Sequence, residues 1–223
     1  MNASSSSEAP DGGGDIIAFQ PVWRWIAHTN KNTQGVTIVS GLSLSLEQEI
    51  LVGDAPQAIA WHDKALVLAV SVGKGVIFYT RDSIGDGDDK LKQGQTVLKK
   101  HKKIDVKVPV TSIRFGKKHV IFGNRDGFML GHAIAFDNND WRTSSLIDVD
   151  TDVFLNFSLN RQAPVTFMDF CPAQRLFACN QESGKSIRVW AVTAKSSEYQ
   201  AMQKARSIPP PSTRGGQSVV GEK

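Results

Sequence analysis

Gln57-Ala-Ile-Ala-Trp61, Thr111-Ser-Ile-Arg-Phe115 and Thr166-Phe-Met-Asp-Phe170 each read as a short strand ending on an aromatic residue. Trp61 to Phe115 is 54 positions and Phe115 to Phe170 is 55. Each segment is followed by a second apolar run, a turn and a third apolar run. A recurrence of this size means one supersecondary unit stacked on copies of itself.

Working outward from these segments, the first unit continues with Ala65-Leu-Val-Leu-Ala-Val70, the turn Gly73-Lys-Gly75 and Val76-Ile-Phe-Tyr79. The second continues with His119-Val-Ile-Phe122, the turn Asn124-Arg-Asp-Gly127 and an apolar run from Phe128. Asp-Gly between apolar runs is a strong hairpin cue. The third has Leu176-Phe-Ala-Cys179 and Ile187-Arg-Val-Trp190, joined across Gln181-Glu-Ser-Gly184. Short runs also precede each unit: Ile50-Leu-Val52, Thr96-Val-Leu98 and Val153-Phe-Leu-Asn-Phe157. Each unit therefore holds about four short strands. Ahead of them, residues 19–40 read as a hairpin, the last part of an incomplete unit. Residues 1–15 read as a disordered tail, 16–195 as the repeat array and 196–223 as a flexible tail. Any helical tendency is confined to one weak amphipathic turn within residues 196–206.

Composition narrows the class. Hydrophobic residues make up 40% of the 223 residues, enough for a core. No apolar run approaches the ~18 residues of a membrane-spanning helix. The N-terminus lacks the basic and apolar regions of a signal peptide. Two cysteines, Cys171 and Cys179, fall on neighbouring strands and read as reduced core thiols of a cytoplasmic or nuclear protein. Net charge is +4 and the pI is near 9.1, mildly basic, with much of the excess in Lys99-Lys-His-Lys-Lys103.

Four short antiparallel strands per repeat, with a turn after the second, is the pattern of a β-propeller blade. The third unit resembles a WD-repeat blade. Ala163-Pro-Val-Thr-Phe-Met-Asp-Phe-Cys-Pro172 is similar to the family's first strand, and Ser186-Ile-Arg-Val-Trp190 to its third strand, which ends on the family's Trp. Ala191 stands where the family usually has Asp. In the second unit Leu98-Lys-Lys-His101 resembles the Gly-His segment, with Lys100 in place of Gly, and Asn124-Arg-Asp-Gly127 the Asp-Gly turn. The resemblance covers roughly residues 46–192. It implies a structural network within a blade, with His101, Asp126 and Trp190 as its members here. The expected fold is all-β, a propeller-like array of four-stranded blades, about three to four of them. Propellers close into rings to remove exposed edges. Three arrangements follow: a piece of a longer propeller, a ring completed by a second copy or another propeller segment, or a small ring complete in itself.

Catalytic and metal chemistry is not expected. The stretch Cys179-Asn-Gln-Glu-Ser-Gly-Lys-Ser186 is one residue from a phosphate loop but leads into a strand, where such a loop must open a helix. The acidic run Asp82, Asp86, Asp88, Asp89 has Gln93 where a calcium loop needs Glu. Asp148-Val-Asp-Thr-Asp152 alternates like a half-exposed strand. The five histidines show no metal spacing, and no cofactor is expected. The expected function is a non-catalytic scaffold for protein–protein interaction within a larger complex. Trp141, in a polar loop, is the candidate exposed anchor. The alternative is an RNA-associated ribonucleoprotein subunit using Lys99, Lys100, Lys102 and Lys103 on phosphates.

Overall fold

The computed structural model describes residues 16–30, 33–81, 97–138, 140, 144–159, 163–171, 176–181, 187–191 and 203–208. Sixteen strands form four antiparallel sheets of four, each in simple sequence order. Blade one is β1 (Ile17–Gln20), β2 (Trp25–Asn30), β3 (Gly35–Ser40) and β4 (Leu46–Leu51). Blade two is β5 (Pro56–Trp61), β6 (Val67–Val72), β7 (Gly75–Arg81) and β8 (Leu98–Asp105). Blade three is β9 (Val110–Phe115), β10 (His119–Asn124), β11 (Phe128–Phe136) and β12 (Leu146–Ser158). Blade four is β13 (Val165–Cys171), β14 (Leu176–Gln181), β15 (Ile187–Ala191) and β16 (Gln203–Ile208). This is a four-blade propeller arrangement, with no helix among the described residues.

The period-two alternation of the strands builds the stack. Successive side chains of a strand point to opposite faces of its sheet. In β6, Leu68 and Val70 pack toward blade one, while Val67 and Ala69 pack toward blade three. In β7, Ile77 and Tyr79 go one way and Val76 and Phe78 the other. A sheet covered on both faces needs apolar residues at every position, and all six residues of β6 are buried. Three apolar clusters result, one per seam. Trp25, Ile38, Trp61 and Leu68 close the first. Phe78, Phe115, Phe122 and Val149 close the second, and Ile121, Met129, Met168 and Phe177 the third. Gly73 (φ 54°) and Gly127 (φ 82°) sit in the turns between second and third strands, where left-handed backbone favours glycine.

The aromatic ends of the three repeated segments hold equivalent places. Trp61 pairs across its sheet with Leu68, Phe115 with Val120 and Phe170 with Phe177. In blade one the inner strand ends on Gln20, opposite Trp25, and this side chain faces the following blade, whereas the three aromatics face the preceding one.

The structure revises the sequence reading in four places. Residues 19–40 are not a partial unit: with β1 and β4 they make a complete blade. The runs at 50–52 and 153–157 belong to the outermost strands of the preceding blades, not to the units they precede. The basic segment belongs not to the second unit but to the blade before it, as strand β8, which starts at Leu98, the last residue of the run at 96–98. Within the stretch expected as a C-terminal tail, β16 pairs with β15 and completes blade four. Each change has one cause: an unpaired strand edge leaves backbone donors and acceptors unsatisfied, so a fourth strand covers the third. The expected tail of residues 1–15, the acidic loop from Asp82 and the anchor Trp141 lie outside the described residues.

Candidate functional site

The four inner strands converge on the axis. A cavity of about 390 Å³ is lined by residues of β1, β5, β9 and β13, among them Ile17, Phe19, Gln57, Thr111, Arg114 and Thr166. Successive inner strands are juxtaposed, β1 with β5, β5 with β9 and β9 with β13, while no comparable packing joins β13 back to β1. Arg114 on β9 ties three blades together at the cavity. Its Nη2 lies 3.1 Å from Asp169 Oδ1 of blade four and its Nη1 lies 3.7 Å from Asp63 Oδ1 in the β5–β6 turn of blade two.

Polar side chains staple the seams by bonding backbone of the next blade. Gln20, fully buried, donates through Nε2 to the carbonyls of His62 (2.6 Å) and Ala65 (3.1 Å) and accepts from Val22 N–H at Oε1 (2.7 Å). Gln48 of β4 makes a paired amide contact with Leu98 of β8, both bonds 2.9 Å. Ser71 Oγ donates to Val110 O (2.6 Å), and Thr111 Oγ1 to Val165 O (2.8 Å). The result is a rigid stack whose turns are held in fixed positions. No signal in the sequence marks these residues, because Gln, Ser and Thr in strands read as solvent-facing positions.

Two buried histidines belong to this framework. His62 Nδ1 accepts from Ala65 N–H (2.9 Å) and Lys64 N–H (3.2 Å), and Nε2–H donates to Lys117 O (3.4 Å). That pattern needs the neutral ring, and burial pushes the His62 pKa down. Burial, together with the nearby His62, lowers His119 to about 4. Among the described residues no cluster of three or more His, Cys, Asp or Glu is placed to hold a metal. Cys171 is exposed and Cys179 buried; both are free thiols, and burial pushes Cys179 up to about 12, the opposite of a reactive thiolate.

The basic segment lies against an acidic one. On β8, Lys102 Nζ reaches Asp148 Oδ1 and Val149 O of β12, both at 2.5 Å, and the His101 ring donates to Ile147 O (2.8 Å). Lys102 beside Asp148 holds that carboxyl below its ordinary range. Lys103 pairs with Asp105 at 2.8 Å. Lys100 is exposed, as is Lys99. Two of the four lysines singled out for phosphate contact thus lie against carboxylates of the same chain. His101 and Asp126 are not brought together: His101 is mid-strand in blade two, and Asp126 sits in the β10–β11 turn. That turn is organised by Asn124, whose Oδ1 accepts from Asp126 N–H (3.0 Å) and Phe128 N–H (2.9 Å). Trp190 lies on β15 opposite Phe177.

No protein-family model matches the sequence, and no curated protein matches it. Solved structures do, 623 chains in all, so the architecture is one shared by many proteins. Among them is the β-propeller domain of Cps50 (Swd1) from Myceliophteria thermophila, with a TM-score of 0.57 and 11% identity. The similarity covers 87% of this chain and 59% of that one, so this chain spans under two thirds of the solved domain. Identity this low speaks to architecture and not to activity. The chain has the β-propeller fold.

Proposed function

We propose that this chain is a non-catalytic scaffold of the WD-repeat type, docking protein partners within a larger cytoplasmic or nuclear complex. Those partners include another propeller segment or a second copy that extends the blade array. The observation that supports this reading most directly is an ordered apolar turn on the rim. Between β3 and β4, Ser40 N–H donates to Ser45 O and Leu44 N–H to Ser40 O, both 2.9 Å, while Leu42 and Leu44 stay exposed. An ordered turn that holds two leucines in water suits a partner's apolar pocket, because little entropy is left to lose on docking.

Affinity purification of the tagged chain, with nuclease treatment and mass spectrometry, tests the proposal. Protein partners that survive nuclease and are lost on changing Leu42 and Leu44 together to Ser are expected. Partners that leave on nuclease treatment, or on changing Lys99 and Lys100 to Ala, would replace the scaffold reading with the RNA-associated one.

A further inference from the structure

Blades two and three are covered on both faces by neighbouring blades. Among the described residues the end blades are covered on one face each, and their other faces are mixed: apolar rows interrupted by His28, Thr37 and Glu49 on blade one and by Asp169 and Asn180 on blade four. On blade one, the face turned away from blade two carries a cross-strand row of Phe19, Ile26, Val39 and Leu46. The next row on the same face is Ile17, His28, Thr37 and Glu49, with Leu51 beyond it opposite Gly35. Ile17 is 68%, Phe19 57%, Leu46 61% and Leu51 76% exposed. On blade four, the face turned away from blade three carries Phe167 and Ile187, 48% and 46% exposed, with Leu176, Ala178 and Val189 half-buried between them. Exposed apolar rows of this size are interaction surfaces or liabilities.

We propose that two copies of this chain join end to end, blade four of each against blade one of the other, closing one ring of eight blades. The inference deepens the scaffold reading by naming one partner, a second copy.

Three arguments carry it. First, the chain already shows how its blades associate. Every internal seam sets the trailing apolar face of one blade against the leading apolar face of the next. The free face of blade four is a trailing face and that of blade one a leading face, so a fourth seam of the same kind exists only between them. Within one chain a seam of that kind is not made: β1 and β13 line the same cavity, but no packing comparable to that of the other inner-strand pairs joins them. Second, a two-fold axis makes both new seams identical, and the ring closes without leaving a free end that would recruit further copies. Third, the area suffices. A face of four strands spaced about 4.8 Å, each about six residues long, measures roughly 350 Å². Two seams with two faces each bury roughly 1,400 Å², within the range of stable protein interfaces.

The test is the mass of the full chain in solution by light scattering, read with circular dichroism. The expected mass is twice 24.3 kDa. Phe19→Asp on blade one and Ile187→Asp on blade four are each expected to give a folded species of half that mass, with dimer affinity weakened at least about 100-fold, because each seam needs both faces. Ile147→Asp, equally apolar and exposed but on the outer strand of blade three, is expected to leave the mass unchanged. A wild-type chain that is a folded monomer would overturn the proposal. A mass above two copies would overturn ring closure, and so would end-face variants that stay dimeric while folded. If a variant does not fold, the wild-type mass alone decides. Partner capture through Leu42 and Leu44 is read separately, so the scaffold reading and the ring can each fail alone.

Discussion

Single residues at the ends of the inner strands decide how the seams are held. Trp61, Phe115 and Phe170 end their inner strands with aromatic surface turned to the preceding blade, while β1 ends on Gln20, which turns to the following blade and satisfies two of its carbonyls. Buried carbonyls without a donor cost about 1–3 kcal/mol each, so this glutamine is as structural as the aromatics. His62 and His119 also hold seams, and they make the fold sensitive to acid. An unfolded histidine titrates near 6.5, whereas folded His119 titrates near 4. Between those values the unfolded chain binds more protons, so stability is full above about pH 6.5 and falls as pH drops toward 4. For His119 the loss is on the order of 3 kcal/mol across that window. Thermal melts at steps from pH 7 to pH 4 are expected to show the decline, and His119→Gln is expected to flatten it. An unchanged wild-type melt between pH 6.5 and 4.5 would rule out a buried neutral histidine here.

At the scale of strands, the outer edges β8 and β12 show why composition misleads. Read as a segment, Lys99-Lys-His-Lys-Lys103 is a basic patch and Asp148-Val-Asp-Thr-Asp152 an acidic one. Folded, the two strands lie side by side, with Lys102 on Asp148. Exposed ion pairs contribute little, typically 0.2–1 kcal/mol. A double-mutant cycle on Lys102→Met and Asp148→Asn is expected to give a coupling of about 0.5–1 kcal/mol in low salt that shrinks as salt rises. No coupling at low salt would remove the contact from the account. Close packing governs the inner strands. A Cβ on Gly123 would lie 2.6 Å from Val165 of the next blade, so blade three approaches blade four at a distance only glycine allows.

For the whole molecule, stability is graded along the array. A stack of blades is held by nearest-neighbour seams, so in a single copy, as in the monomeric end-face variants, blades with two seams are held more firmly than the end blades with one. In the Phe19→Asp variant, amide exchange followed by mass spectrometry is expected to be slowest in β6, β7 and β10, whose residues are almost all buried, and faster in β1, β4 and β15. Uniform exchange across all four blades would mean that the array opens as one unit.

The sequence by itself determined the blade. Strand alternation, turn glycines and the 54- and 55-residue spacings were enough for an all-β repeat array, because these are local properties of the chain. It also exposed three of the four blades, through Trp61, Phe115 and Phe170. The first stayed hidden because Gln20 carries no aromatic signal and lies 41 positions before Trp61, off the period. Where each sheet ends was likewise not legible: β4, β8 and β12 sit between aromatic landmarks, and only hydrogen-bonded pairing assigns each to the blade before it. The staples Gln20, Gln48, Ser71 and Thr111 are polar residues whose partners lie 39 to 54 positions away, so nothing local marks them. The tertiary structure alone decided which charges meet, which histidines are buried, and that the two end blades carry uncovered apolar rows. Those properties depend on which side of a sheet a neighbour occupies, and a linear pattern carries no record of that.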